Sequence, residues 1–373
     1  MKRIGHLFEQ IVDFENLFQA FRSASKNRRF RNDVLRFAWN LEENLINIQN
    51  HLIYKTYEIG RYKEFYIYDP KKRLIMSLPF RDRVVQWAIY RVLEPLVDKQ
   101  FIYDSYACRK GKGMQAAANR VQYWMRHLSR RFPRPYYLKL DISKYFYRID
   151  HDVLLGILNR NFKDPDLMWL LEKIIRSEDT LFGIPLGDHG FEQERVQGVG
   201  MPIGNLTSQL FANLYLNELD QFAKHTLKLR YYARYMDDIV AFHHDKKELH
   251  KARQEMEWFL NERLRLTLNN KTAVRPISVG MDFVGYRIWP THRKIRKKTA
   301  LKMKSRLRYL ERAYSRGEVD VKDVNATVQS YLGLCKHANS YSLRRAIFSR
   351  FRLTRNADPK QKEEVFFDES NGS

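Results

Sequence analysis

Two aspartates stand side by side in the stretch from Arg234 to Val240, RYMDDIV, and a third, Asp141, follows the run PYYLKL. Adjacent carboxylates repel, so Asp237 and Asp238 need either water or a cation between them. Alone, an Asp-Asp pair fits a solvated turn as readily as a metal site. A third acid brought to the same edge changes that balance. Two Mg²⁺ ions about 3.5–4 Å apart would offset the repulsion and create a phosphoryl-transfer site, with Mn²⁺ as a substitute. One ion would lower the pKa of an attacking hydroxyl. The other would hold a triphosphate and neutralise the leaving pyrophosphate.

The elements that must position these acids follow from local pattern. In PYYLKLDIS, Leu138, Leu140 and Ile142 alternate onto one strand face, and Tyr137, Lys139 and Asp141 onto the other. The stretch LRYYARYMDDIVAFHH reads as a hairpin. Its arms are Tyr232 to Tyr235 and Ile239 to Phe242, with Met236, Asp237 and Asp238 at the bend. A βαβ-like unit separates the two stretches, so their strands can be sheet neighbours. Upstream, residues 1–60 read as helices, with Phe14, Leu17, Phe18 and Phe21 on one stripe and Asn32 or Asp33 capping a later helix. Residues 61–79 read as two short strands around a turn at Asp69-Pro70, and 80–100 as a helix. A loop is expected over 177–199, and helices over 207–222 and 246–264. Strands are expected around MDFVGYRIWP. A basic helical region over 296–352 has Leu301, Met303, Leu307, Leu310 and Tyr314 as candidate core contacts. The polar tail, 353–373, reads as disordered.

Bulk properties narrow the partner. The chain has 373 residues, 44% of them hydrophobic, which excludes a disordered protein. A net charge of +24 points to a polyanion, either nucleic acid or an anionic membrane surface. No apolar run approaches the roughly 18 residues of a spanning helix, so no membrane partner is expected. The start, MKRIGHLFEQ, lacks the apolar core of a signal peptide. Cys108 and Cys335 form no metal-ligand spacing and read as ordinary side chains in a reducing cytoplasm.

With these residues quoted, the chain resembles reverse transcriptases. YMDD at 235–238 looks like their signature, and LKLDISKYF resembles their first palm motif. GMPIGNLTSQLFANLYL resembles the next palm motif, LNNKT the motif behind the triphosphate, and FVGYRI the primer grip. KKRLIMSLPFRDRVVQWAI and SYACRKGKGMQAA resemble the fingers blocks of bacterial, group II intron-like enzymes. The matches keep the family's order from about residue 60 to 290. The resemblance implies an α+β right-hand polymerase fold of fingers, palm and thumb, with an antiparallel palm sheet and a helical thumb. The expected division is an N-terminal helical extension (1–60), fingers (61–130), palm (131–290, with fingers helices and a loop inserted at about 150–199), thumb (291–352) and tail (353–373).

The resemblance also assigns roles. Asp141, Asp237 and Asp238, with the backbone carbonyl of Ile142, would hold the metals. Tyr145 would be the steric gate against a ribose 2′-hydroxyl, so the substrates would be deoxynucleoside triphosphates (dNTPs). Lys72, Arg73 and Arg109 would reach the triphosphate, and Lys271 would protonate or steady pyrophosphate. Phe283, Val284, Gly285 and Tyr286 would brace the primer end. Arg293, Lys294, Arg296, Lys297, Lys298, Lys302, Lys304, Arg306 and Arg308 would follow the phosphates of the template RNA and the RNA–DNA duplex.

Two positions depart from the commoner bacterial pattern. Intron-type enzymes usually carry Gln where this chain has Ile203, and Pro where it has Gln209. PIGNLTSQ, FENLFQAFRSASKNRR and FVGYRIWPTHRKIRKK resemble the reverse transcriptases of diversity-generating retroelements. That likeness implies cDNA synthesis with errors at template adenines, a small basic accessory protein, and a bacterial or phage-encoded element. The alternatives are a reverse transcriptase of an antiviral or other retroelement system, and a non-catalytic RNA-binding protein on a polymerase fold. An intron maturase is disfavoured, because no further domain is expected after the thumb.

Overall fold

The computed structural model describes residues 3–68, 73–177, 180–184 and 195–355. The turn expected at Asp69-Pro70, Lys72, residues 178–179 and 185–194 of the expected loop, and 356–373 of the expected tail lie outside the described residues.

In chain order the elements begin with α1 (Phe8–Val12), α2 (Phe14–Ser25), α3 (Asn32–Trp39) and α4 (Leu41–Ile53). They continue with β1 (Lys63–Ile67), β2 (Arg73–Ser77), α5 (Phe80–Asp98), α6 (Met114–Arg131) and β3 (Tyr136–Asp141). Then come α7 (His151–Asn161), α8 (Pro165–Arg176), α9 (Leu206–Gln221), β4 (Tyr231–Tyr235), β5 (Asp238–His243) and α10 (Lys246–Leu264). The described part closes with β6 (Ala273–Pro276), β7 (Met281–Phe283), β8 (Tyr286–Ile288), β9 (Arg293–Ile295), α11 (Lys297–Ser315), α12 (Val321–Lys336) and α13 (Tyr341–Phe348). The expected α+β class with an antiparallel central sheet is what these elements make.

The chain divides into two compact units. The first takes Met1–Gly113 and Pro135–Arg275; the second takes Met114–Arg134 and the described residues from Pro276 onward. In the first unit a four-stranded sheet runs β4-β5-β3-β6. β3 and β5 are antiparallel neighbours, as expected. Helix α9 is buried nearly all round, through Leu210, Phe211, Leu214, Tyr215, Leu216 and Leu219. A helix with apolar side chains on every face belongs at the centre of a core. Cutting one of its fully buried leucines to alanine costs about 2–5 kcal/mol. Aspartates start the helices around it. Asp150 accepts from Val153 N at 3.0 Å, Asp164 from Leu167 N at 3.1 Å with Pro165 next to it, and Asp245 from Lys247 N at 2.8 Å. The cap expected from Asn32 or Asp33 is a correction: α3 starts at Asn32 after Arg31, with no side-chain cap. Asp33 instead accepts from the next residue, Val34 N.

The hairpin of β1 and β2 also belongs to this unit. Leu74 and Met76 of β2 point inward, whereas every residue of β1 is exposed. Met76 N donates to Ile203 O at 3.1 Å. Gly204 follows at φ 129°, and a Cβ there would lie 2.8 Å from Met76 O, so only glycine fits against this strand.

In the second unit, β7, β8 and β9 form an antiparallel sheet. Val284 and Gly285 make the two-residue turn between β7 and β8, both at positive φ (41° and 87°), as in a type I′ hairpin. Helix α6 is tied to the same unit, with Gln122 Nε2 donating to Trp289 O and Arg126 Nε to Pro290 O, both at 3.2 Å. Helix α11 buries Met303, Leu307, Leu310 and Ala313. Leu301 is a correction: it is 56% exposed, because it stands two residues, about 200° of helical rotation, from Met303.

Candidate active site

The register between β3 and β5 places Asp141 opposite Asp238, so their side chains share one face of the sheet. Tyr235 pairs with Asp238, which leaves Met236 and Asp237 as a two-residue hairpin turn. Met236 has φ 55° and Asp237 does not share that sign, the pattern of a type II′ turn, whose first position usually holds glycine. The backbone around Asp141 is braced by the loop after α10. Asn269 N donates to Asp141 O at 2.8 Å, Ser143 N to Thr267 O at 2.9 Å, and Asp141 N to Thr272 Oγ1 at 3.3 Å. Asn269 Oδ1 also accepts from Lys271 N at 2.7 Å, a local turn that fixes the lysine's backbone. The Lys271 ammonium lies 3.8 Å from Asp141 Oδ2.

Burial is the main influence on the carboxyls of the turn. Burial pushes the Asp237 carboxyl above its ordinary range, and Asp141 beside it adds to the rise; Arg73 and Lys139 oppose it. Asp238 is also pushed up, chiefly by burial, against Lys139, whose Nζ is 2.9 Å from Asp238 Oδ1. Carboxylate oxygens held in this way are the donor type that a hard divalent cation takes, so the residues fit Mg²⁺ in chemistry. As they stand, among the described residues, no three His, Cys, Asp or Glu side chains are grouped around one cation position. Lys139 occupies one Asp238 oxygen instead.

The other expected residues divide into those near the acids and those elsewhere. Arg73, at the start of β2, is close enough to act on Asp237. Ile142 is buried and bridges Leu268. Tyr145 is buried at 3% exposure, and its hydroxyl donates to Ala212 O on α9. Ile203 sits in the turn against Met76, and Gln209 is exposed, its Oε1 accepting from Cys108 Sγ at 3.3 Å.

Arg109 is a correction. Its Nε donates to Asp98 Oδ1, Nη1 to Ile102 O and Ser105 O, and Nη2 to Asp98 O and Oδ2. All five donors are used inside the protein, so none is left for a triphosphate. Arg109 pins the loop after α5, and Ser105 of that loop bridges Arg234.

In the second unit, Phe283 and Tyr286 are fully buried around the Val284-Gly285 turn. Lys294, Lys297, Lys298, Lys302, Arg306 and Arg308 are exposed, and Lys304 is half-buried. Arg293 is engaged by Asn119 at 2.6 Å and lies over the Tyr286 ring, and Arg296 pairs with Asp282 at 3.3 Å.

Sequence reasoning left two participants without a role. Lys139 was on the correct face by strand alternation, two residues before Asp141, and that spacing was the available signal. Arg234 and its partners on α9 gave none, since a fully buried arginine is not expected from a strand pattern.

A family model described as reverse transcriptase (RNA-dependent DNA polymerase) matches residues 68–288. Protein YkfC of Escherichia coli is 27% identical over a 263-position alignment that covers 60% of this chain and 65% of that protein. The group II intron-encoded protein LtrA of Lactococcus lactis is 26% identical over 185 residues, 48% of this chain and 28% of that protein. The chain thus spans under two-thirds of the length of either relative. Among solved structures, telomerase from Candida albicans, in complex with a fragment of telomeric RNA, aligns with a TM-score of 0.45 at 14% identity. That alignment covers 84% of this chain and 58% of the other. No described helix is long and apolar enough to cross a membrane.

Proposed function

The chain belongs to the reverse transcriptase (RNA-dependent DNA polymerase) family, and from that premise we propose that it makes cDNA on a template RNA. The observation that carries this reading is the register that sets Asp141 against Asp238 with Asp237 in the turn beside them. In the reaction a primer 3′-oxygen bonds to the α-phosphorus of a dNTP. The bond to the pyrophosphate oxygen breaks, and the hydroxyl proton passes to solvent water. Two Mg²⁺ ions, held by Asp141, Asp237, Asp238 and the Ile142 carbonyl, would supply Lewis acidity to both oxygens.

The chain's own side chains do the positioning. Arg73 and Lys271 contact the triphosphate, and Lys271 carries a proton toward the leaving pyrophosphate. The Tyr145 ring, held by its hydroxyl to α9, bounds the sugar side of the nucleotide and excludes a 2′-hydroxyl. Lys139, 2.9 Å from Asp238 Oδ1, would have to release that oxygen for it to hold a metal. Residues 131–290 act as palm, 61–130 as fingers and 291–352 as thumb. Phe283 to Tyr286 steady the primer end. The exposed basic residues of the thumb follow the duplex phosphates without reading sequence.

Within this reading the chain is the polymerase of a diversity-generating retroelement. Ile203 cannot hydrogen-bond a base pair as a glutamine amide could, so pairing geometry is checked less strictly and errors concentrate at template adenines. A small basic accessory protein assists it. A second reading, an intron-type element, is favoured by the likeness to the Lactococcus protein. Primer extension on an RNA template with Mg²⁺ tests the polymerase reading, which predicts full-length cDNA from the wild type and none from Asp237→Ala. Extension unaffected by that substitution would refute it. Sequencing the products separates the two finer readings. Equal error rates opposite all four template bases remove the diversity-generating one, as does an Ile203→Gln variant with unchanged fidelity.

A further inference from the structure

We propose that Arg234 is a positioning residue for the aspartate turn, acting from the opposite face of the sheet. The inference rests on the polymerase reading above and deepens it. Arg234 pairs with Ile239 across the hairpin, and Ile239 pairs with Leu140. Arg234 therefore lies on the apolar face, away from the face that carries Asp141 and Asp238. Its side chain is completely buried, as is that of Asp220 on α9.

Every donor of the guanidinium is used. Nε lies 2.8 Å from both Asp220 oxygens, and Nη2 is 2.7 Å from Asp220 Oδ2 and 3.2 Å from Asn213 O. Nη1 donates to Asn213 Oδ1 at 3.0 Å and to Met236 O at 3.3 Å. The Tyr232 hydroxyl donates to Asp220 Oδ1 at 2.8 Å and completes the carboxylate's shell.

The contact with Met236 O gives this pair a role beyond packing. That carbonyl belongs to the peptide that leads into Asp237, so holding it fixes the plane from which the Asp237 side chain departs. Met236 is also the strained position of the turn, at φ 55° without being glycine. A turn of this kind persists only where its surroundings hold it. Here one planar fork ties the turn to Asp220 and Asn213 on the central helix. A lysine could keep the charge opposite Asp220, but a single nitrogen cannot span Asp220, Asn213 and Met236 O together.

The test uses the full chain and three measurements on Arg234→Lys: thermal unfolding, Mn²⁺ binding by electron paramagnetic resonance without nucleic acid, and single-turnover addition of one dNTP on an RNA template. A misplacement of about 1 Å in a catalytic group lowers rate about 100-fold. The expected result is a folded variant that binds Mn²⁺ about 10-fold more weakly. It adds the nucleotide about 10- to 100-fold more slowly, and its KM for the dNTP stays within about 3-fold of wild type. A folded variant with wild-type Mn²⁺ affinity and rate overturns the proposal. The double variant Arg234→Met with Asp220→Leu removes both buried charges and leaves the Tyr232 hydroxyl and the Asn213 amide as the polar groups there. It is expected to fold and to show the same two defects; folding with neither defect overturns the proposal as well. Failure of both variants to fold assigns the pair to stability alone and also overturns it. If the wild type itself adds no nucleotide, the polymerase reading fails, which is a separate result.

Discussion

Two faces of one sheet treat their aspartates differently. On the helix-covered face, Asp220 meets Arg234 and the Tyr232 hydroxyl, with both charged side chains completely buried. On the other face, Asp141, Asp237 and Asp238 meet cations on separate side chains, with Lys139 acting on Asp237 as well as Asp238. Lys271 is 3.8 Å from Asp141, Lys139 is 2.9 Å from Asp238, and Arg73 acts on Asp237. Arginine's fork satisfies a buried carboxylate in a fixed plane, whereas lysine is a point charge on a flexible stem. The core acid is therefore neutralised for good. The site acids face cations on side chains that, on the proposed two-metal reading, withdraw when a divalent cation binds. The Lys271 side chain is 69% exposed, so its release costs little in packing.

The sharpest way to break this contrast is to remove one half of the core pair. Asp220→Ala leaves the Arg234 charge buried without its partner, and denaturant unfolding should show a loss of about 3–5 kcal/mol. A loss below about 1 kcal/mol would mean that the pair does not differ in kind from the contacts on the open face.

Next in size is the contrast between Arg109 and Arg73. Arg109→Ala removes five internal hydrogen bonds, and a melting experiment should show about 1–3 kcal/mol of lost stability with an unchanged KM for dNTP. Arg73→Ala should do the reverse, raising that KM about 10-fold with little change in melting temperature. A KM effect from Arg109→Ala would restore it to the nucleotide site.

The smallest effect concerns Asp237 without metal. Its folded pKa is raised by burial and by Asp141, so the folded chain binds this proton more readily than the unfolded chain does. Stability of the metal-free protein therefore falls as pH rises through the raised value. The amide of Asp237→Asn abolishes that penalty. The variant should melt a few degrees higher than the wild type at neutral pH, and the gap should close toward pH 4. An equal or lower melting temperature at neutral pH would contradict the burial penalty assigned to Asp237.

Much of this arrangement was legible in the sequence. Alternation in PYYLKLD and a Met-Asp bend between two apolar arms sufficed to bring Asp141, Asp237 and Asp238 to one sheet edge, because strand period and hairpin geometry are local. Asp238, expected in the bend, instead begins β5, and Asp237 stays in the turn. The long helices were legible for the same reason, and α9 spans Leu206–Gln221 where 207–222 was expected. What local pattern could not supply was the partner of each charge. Arg109 looks like a free cation in a basic glycine loop, yet Asp98 in the preceding helix takes three of its five donors. Leu301 looks like core, yet helical phase set by Met303 and Leu307 turns it outward. Arg234 reads as one more basic residue, and only the approach of Asp220 and Asn213 on α9 explains its burial. Pairings between separate elements decide the two arginines, and periodicity carries no record of them; the outward turn of Leu301 is set by helical phase within α11 itself.

The most direct measurement is single-turnover addition of one dNTP to a primer on an RNA template as Mg²⁺ is titrated, for the wild type and for Asp141→Asn. The account predicts saturable, Mg²⁺-dependent addition by the wild type and a loss of at least about 1,000-fold in the variant at every Mg²⁺ concentration, as expected when metal-borne stabilisation of several kcal/mol is removed. Addition by Asp141→Asn at the wild-type rate, or addition by the wild type in the absence of any divalent cation, would contradict it.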